Sequence, residues 1–239
     1  MHSPYGLEVS DSCVSCKVRS EGYFCDFESE MVGKFDTLKY TTVFPKGAVL
    51  FVEGQSPRGV FMICAGRVKL TTCSSEGKAL ITRIAEGGEI LGLSATVSGK
   101  PYMVTAETLN PCQINFIKRE DFLRFLKENG TACLRAAEHL SNNYHNAFDQ
   151  VRSLGLSHSA SEKLAKLMLE WCAKGGKDTD KGINVKLTLT HEEIAQIIGS
   201  SRETVTRLLG DFKARQLIYV KGSTLIIRDK AALVTMVSS

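Results

Sequence analysis

The sequence predicts an α+β protein in three successive zones: a small antiparallel β-barrel or sandwich, a long amphipathic helix, and a compact helical domain closed by a β-hairpin. Three observations carry this. Between about Phe35 and Phe116, β-branched and aromatic runs are punctuated by Gly47, Gly54, Gly59, Gly66, Gly77, Gly87 and Gly88, a spacing that fits short strands joined by tight turns. From about Thr131 to Leu154, apolar and small residues recur at alternating steps of four and three. Beyond Ser159, capped helices alternate with turn glycines and end in two alternating strands.

Composition bounds the reading. A chain of 239 residues that is 43% hydrophobic can bury one large core or two modest ones. No segment approaches the roughly 18 to 20 apolar residues of a membrane span, so no membrane partner is expected. The opening "MHSPYGLEVSDS" has neither the basic nor the apolar region of a secretory signal, which makes the cytoplasm the expected location. In that reducing compartment the eight cysteines are not expected to form disulfides. The run "CVSCKVRSEGYFC" at 13–25, a C-x2-C pair followed by a third cysteine, points instead to metal binding or redox chemistry. The net charge of +4 is carried by the last third: 13 Lys/Arg face 9 Asp/Glu from Ser159 onward, whereas residues 1–158 hold 17 of each. That is the direction expected of a polyanion-facing C-terminal domain, although a solvated surface can carry the same surplus.

After the strand-rich zone, "KREDFLRFLKENG" reads as a helix broken at Gly130. The longer helix that follows carries Cys133, Ala137, Leu140, Tyr144, Ala147, Val151 and Leu154 in one stripe. Three such heptads, with small residues at alternate positions, fit a two-helix seam. A homodimer is expected, with Leu140, Tyr144, Ala147, Val151 and Leu154 at its interface; the alternative is that the stripe packs on its own barrel.

In the last zone Ser159 with Glu162, Thr190 with Glu193, and Ser200 with Glu203 read as three capping boxes. The second and third open two short helices joined at Gly199, a helix-turn-helix, with Ile194, Ala195 and Ile198 facing Val205, Leu208 and Leu209. "LIYVKGSTLII" then forms the wing about Gly222 and Ser223. Ser200, Ser201, Arg202, Glu203, Thr206 and Arg207 lie at the start of the second helix, where such a unit meets base edges, and Lys221 lies on the wing. Arginine can donate twice to guanine and glutamate can accept from cytosine. The alternative for Arg202, Glu203 and Arg207 is a surface ion-pair cluster.

The segment "IIGSSRETVTRLLGDFKARQLI" closely resembles the recognition segment of the CRP/FNR superfamily of bacterial transcription regulators. The resemblance covers nearly the whole chain: "FPKGAVLFVEGQSPRGVFMICAGRVKL" and "EGGEILGLSATVSGKPYMVTAETL" are similar to the two halves of that family's cyclic-nucleotide-binding-type β-roll, and the 131–154 helix stands where its dimerisation helix lies. It implies an N-terminal cysteine-rich segment over 1–30, a β-roll sensor domain over 31–130, a dimerisation helix and hinge over 131–158, and a winged helix-turn-helix over 159–239. Implied partners are RNA polymerase and double-stranded DNA bearing a palindromic site.

The resemblance also divides sensing from reading. Cyclic-nucleotide binders of the family use a Gly-Glu pair and an Arg-Ser pair; Gly88 and Glu89 match the first, but Lys100 and Pro101 replace the second, removing the guanidinium fork, a hydroxyl and a backbone donor. Gly88 and Glu89 are then expected to serve the turn. FNR-type members hold an oxygen-labile [4Fe-4S] cluster on an N-terminal cysteine trio and one distant cysteine, matched here by Cys13, Cys16, Cys25 and Cys112, the last in "AETLNPCQINF". The eight-residue gap from Cys16 to Cys25, containing Gly22, is longer than in the best-known members, and a four-cysteine zinc site or a thiol or nitric-oxide sensor stays open beside the cluster. Cys64, Cys73, Cys133 and Cys172 read as small structural residues. Glu203 and Arg207 match the family's shared readers, and Arg202 matches the CRP-type arginine, which implies a half-site resembling TGTGA. No nucleophile with a base and an orienting group is legible, so an enzyme is not expected; an electron-transfer protein would leave the winged helix without a role.

Overall fold

The computed structural model describes residues 4–10, 12–16, 24–156 and 159–238. Most of the Cys16 to Cys25 spacer, Gly22 included, and the side chain of Leu154 lie outside those described. The chain divides into two compact units, Met1–Asn146 and Ala147–Ser239. No helix among the described residues is long and apolar enough to cross a membrane.

The first unit begins with α1 (Ser29–Leu38), followed by β1 (Tyr40–Phe44), β2 (Val49–Phe51), β3 (Gly59–Ala65), β4 (Val68–Cys73), β5 (Ala79–Ala85), β6 (Ile90–Leu91), α2 (Leu93–Ser98), β7 (Thr105–Thr108), β8 (Cys112–Lys118), α3 (Arg119–Glu128) and α4 (Gly130–Leu156). Two four-stranded antiparallel sheets, ordered β1-β8-β3-β6 and β2-β7-β4-β5, form the roll. Their facing sides bury Leu50, Phe51, Phe61, Ile63, Val68, Cys112 and Ile114. The outer side of the first sheet is buried as well: Val60, Met62, Ile90 and Ile117 pack under Phe24 and Phe27, Phe35 of α1, Phe122 and Phe125 of α3, and Ala132 and Ala136 of α4. This explains why β3 and β8 are nearly continuous in burial, where a half-solvated strand would alternate.

Phe24 and Phe27, at the end of the cysteine-rich stretch, are thus buried in this unit's core. The expected break at Gly130 falls one residue earlier. Asn129 is extended and Gly130 already belongs to α4, because the Asn129 amide caps α3 by donating to the Phe125 carbonyl at 2.7 Å. Along α4, Ala132, Ala136 and His139 are buried while Ala137, Tyr144, Ala147 and Val151 are exposed, and Leu140 lies between. Of the expected seam, Tyr144, Ala147 and Val151 are thus exposed, while Leu140 packs partly on the core under the roll.

The second unit holds the end of α4 and then α5 (Ala160–Gly175), β9 (Lys177–Thr179), β10 (Gly182–Lys186), α6 (His191–Ile198), α7 (Arg202–Ala214), β11 (Ile218–Lys221), β12 (Thr224–Ile227) and α8 (Lys230–Ser238). Ser159 caps α5, its hydroxyl accepting from the Glu162 N–H at 3.1 Å. Thr190 and Glu193 form the expected reciprocal box at the start of α6. At α7 the cap is Ser201, which accepts from the Thr204 N–H, and not Ser200 with Glu203. The correction has a local cause: the Ser200 N–H is spent on the Ala195 carbonyl at 2.9 Å, closing the turn, so the helix can begin only one residue later. Gly199 takes the left-handed conformation, φ 67°, that lets α6 stop there. Ile194, Ala195, Ile198, Val205, Leu208 and Leu209 are all buried as expected. The wing is larger than expected, because β9 and β10 extend the β11-β12 hairpin into a four-stranded sheet.

Candidate sensor site and nucleic-acid interface

Two polar side chains buried on the outer face of β8 organise the N-terminus. Gln113 and Asn115 are each 1% exposed. Gln113 accepts from the Ser10 N–H at 3.0 Å and donates to the Ser10 carbonyl at 2.6 Å, as a neighbouring strand would. Asn115 donates to Cys13 Sγ at 3.6 Å and accepts from the Thr41 hydroxyl at 2.8 Å. Asp36 of α1 holds the other side, accepting from the Cys13 N–H at 2.8 Å and the Ser12 hydroxyl at 3.0 Å. The spacer of the C-x2-C pair closes as a turn, with the Cys16 N–H directed at the Cys13 carbonyl. Cys25 Sγ lies 3.6 Å from Met62 Sδ, and Met62 is the cross-strand partner of Asn115. The cysteine trio is thus gathered over the β3–β8 pair.

Cys112, the fourth residue implied by the resemblance, is not brought to the trio. Side chains alternate along a strand, so Gln113 and Asn115 facing outward send Cys112 and Ile114 inward. Cys112 is fully buried in the roll interior, its thiol directed at the carbonyls of Asn110 (3.2 Å) and Arg67 (3.4 Å). Gly66, with φ +94°, packs so closely on Cys112 and Pro111 that a Cβ there would collide with both. Cys112 therefore stands on the opposite side of β8 from the trio.

Cys64, read from sequence as structural, takes the outward position. The β3–β8 register runs Met62↔Asn115, Ile63↔Ile114, Ala65↔Gln113, so Cys64 is the extra residue of a bulge. Met62 and Ala65 on either side of it face outward with their partners. Burial pushes the Cys64 thiol up to about 12, and the nearby sulfurs of Cys13, Cys25 and Cys16 push the same way while Lys39 opposes them. Burial likewise raises Cys13 to about 11, against the pull of Lys39. Among the described residues no three His, Cys, Asp or Glu side chains close on a common metal-sized centre. The four thiols share one face, and their donor chemistry suits a thiophilic metal or cluster, which would displace the thiol protons on binding.

Phe51 and Tyr102 stack at 4.1 Å within the roll interior. Glu89 is folded onto its own turn, accepting from the Glu86 N–H at 2.8 Å and pairing with Arg83, while Lys100 and Pro101 are exposed. His139 of α4, kept below its usual range by burial and by Arg83, meets the Ile90 carbonyl at 3.0 Å and ties α4 to the strand that follows this turn.

In the second unit, Arg202, Glu203, Thr206 and Arg207 line one shallow concavity on the exposed side of α7. Among the described residues no ion pair joins Arg202, Glu203 and Arg207; the Glu203 carboxyl is held below the usual carboxylate range chiefly by its own backbone N–H and by Ser201. Thr206 is engaged internally, its hydroxyl on the Arg202 carbonyl and on His191 Nδ1, both at 2.9 Å. His191, which sequence reasoning passed over, therefore braces the start of α6 against α7. Lys221 is exposed at the wing turn, and Ser200 is half-buried in the inter-helix turn.

A cyclic nucleotide-binding domain model matches residues 41–129 and a Crp-like helix-turn-helix domain model matches 162–236. The chain is 24% identical over 203 residues to the "Anaerobic regulatory protein" of Bacillus subtilis, spanning 84% of this chain and 85% of that one. It is 24% identical over 190 residues to the "CRP-like cAMP-activated global transcriptional regulator" of Mycobacterium tuberculosis, spanning 80% and 84%. Among solved structures, a CooA variant from Carboxydothermus hydrogenoformans superposes with a TM-score of 0.74 at 21% identity, covering 96% of this chain and 98% of that one.

Proposed function

The chain belongs to the CRP/FNR family of transcription regulators, carrying a cyclic nucleotide-binding domain ahead of a Crp-like helix-turn-helix domain, and from that premise we propose a homodimer that senses oxygen or redox state through an iron–sulfur centre. It is a sequence-specific DNA-binding regulator and not an enzyme. The observation that carries the sensing reading is the gathering of Cys13, Cys16 and Cys25 over the outer face of β3 and β8, where Cys13 and Cys25 pack on the same core as Ala132, Ala136 and Leu140 of α4. Whatever the cysteines hold therefore bears on the first half of the long helix. An iron–sulfur centre bound there supplies a redox-active, oxygen-labile group. A cyclic-nucleotide signal has less support, because Glu89 is tied to its own turn and to Arg83.

The remaining parts follow from the exposed faces. Tyr144, Ala147 and Val151 supply the apolar stripe for a two-helix seam, joined by Phe148, which the sequence reading had not included. Two copies of α7 would then read a palindrome, Glu203 and Arg207 taking one G·C pair and Arg202 an additional guanine, as in TGTGA. Promoter action through RNA polymerase completes the proposal.

Protein isolated without oxygen, assayed for iron, acid-labile sulfide and visible absorption, tests the sensor. About four iron and four sulfide per chain, bleaching in air, are expected. Stoichiometric zinc with no labile sulfide overturns the iron–sulfur reading in favour of a zinc site, and metal-free protein whose DNA binding follows thiol oxidation or nitric oxide overturns it in favour of a thiol sensor.

A further inference from the structure

We propose that Cys64 completes a four-thiolate site with Cys13, Cys16 and Cys25, and that Cys112 stands outside it. The proposal deepens the metallocentre reading above and rests on it. Its ground is the geometry of one strand pair. Asn115 on β8 touches Cys13, Met62 on β3 touches Cys25, and these two residues are directly opposite each other in the register. Two residues along β3 from Met62, at the bulge between Ile63 and Ala65, Cys64 lies near the sulfurs of Cys13, Cys25 and Cys16. Cys112 cannot follow it without rotating β8 by one residue, which would bury Asn115 and Gln113 in the apolar interior and tear Ser10 from Gln113.

The Lys39 side chain, 5% exposed and paired with Asp36 at 2.9 Å, stands beside Cys13. Four thiolates around a divalent metal or an iron–sulfur cube leave the site net negative, and the Lys39–Asp36 pair borders it. The thiol protons displaced on binding pass to solvent. The chemical class of ligand is therefore a thiophilic metal or cluster in an all-sulfur environment.

Cobalt(II) added anaerobically to the reduced full-length protein tests this directly, because tetrahedral thiolate coordination gives strong visible bands. Wild type and Cys112→Ser are expected to give the same four-sulfur spectrum, and Cys64→Ser to lose most of it, with unchanged melting of the metal-free forms. Loss in Cys112→Ser with retention in Cys64→Ser overturns the proposal and leaves the metallocentre reading intact. Should Cys64→Ser not fold, X-ray absorption on cobalt-loaded Cys112→Ser decides: four sulfurs support the set, three overturn it. Wild type that binds cobalt through four sulfurs but never assembles iron and sulfide sinks the iron–sulfur reading while sustaining this ligand set. Wild type with no thiolate bands overturns both.

Discussion

Asn115 and Cys13, 102 positions apart in the chain, meet at 3.6 Å, the buried amide of a central strand donating to the first sulfur of the N-terminal trio. The same amide oxygen takes the Thr41 hydroxyl, so one side chain links β8, β1 and the cysteine segment. Asn115→Leu keeps the volume and removes both bonds. It is expected to destabilise the first unit by about 1 to 3 kcal/mol and to speed alkylation of Cys13. Thermal unfolding and mass-mapped labelling read the two effects; unchanged Cys13 labelling would show that Asp36 and Gln113 hold the segment without Asn115.

The stripe on α4 predicts the response to a charge. Tyr144 is 68% and Val151 67% exposed, which leaves both open to a partner helix. Ala147→Glu sets two like charges in the expected seam and should convert dimers to monomers in sedimentation velocity. A dimer of unchanged stability would place the interface elsewhere.

Arg202 and Lys221 should separate reading from gripping. Arg202→Val is expected to cost about 1 to 3 kcal/mol on a palindrome of TGTGA half-sites and to relax preference at one base pair. Lys221→Ala should weaken all sequences alike and lower the salt dependence by about one counterion. Selection from random DNA, followed by salt titration of binding, measures both; recovery of half-sites with no preference for the extra guanine would remove Arg202 from the reading head.

Thr190 tests the helix-turn-helix as a folded unit. Its hydroxyl accepts from the Glu193 N–H at 3.2 Å while the Glu193 carboxylate accepts from the Thr190 N–H at 2.8 Å. Thr190→Ala should cost about 1 kcal/mol, a fall of about 4 to 8 °C in the melting of a unit this size. Calorimetry should show the shift in the C-terminal transition and not in that of the roll.

Local chemistry made much of this protein legible from its amino acids alone. The caps at Ser159 and Thr190, the left-handed Gly199 and the wing turn at Gly222 each depend on contacts a few residues apart, and all stand where the sequence placed them. The helical faces were legible for the same reason, since a 3.6-residue period determines which side chains share a stripe. Where the contact was less local, the reading slipped by one residue: Ser201 caps α7 because Ser200 is committed to Ala195. The placement of the cysteines lay beyond local chemistry altogether. A resemblance aligns positions along the chain, so it pointed to Cys112, yet the side of the sheet a cysteine faces is decided by strand pairing. The alternation of Cys112 and Ile114 with Gln113 and Asn115 carried a hint, but only strand pairing, with its bulge between Ile63 and Ala65, and the covering of the outer face by α1, α3 and α4 decided which side each cysteine takes. A side-chain period of two means that one extra residue in a strand reverses every facing after it, and that residue acquires its place only when the partner strand is there to pair with.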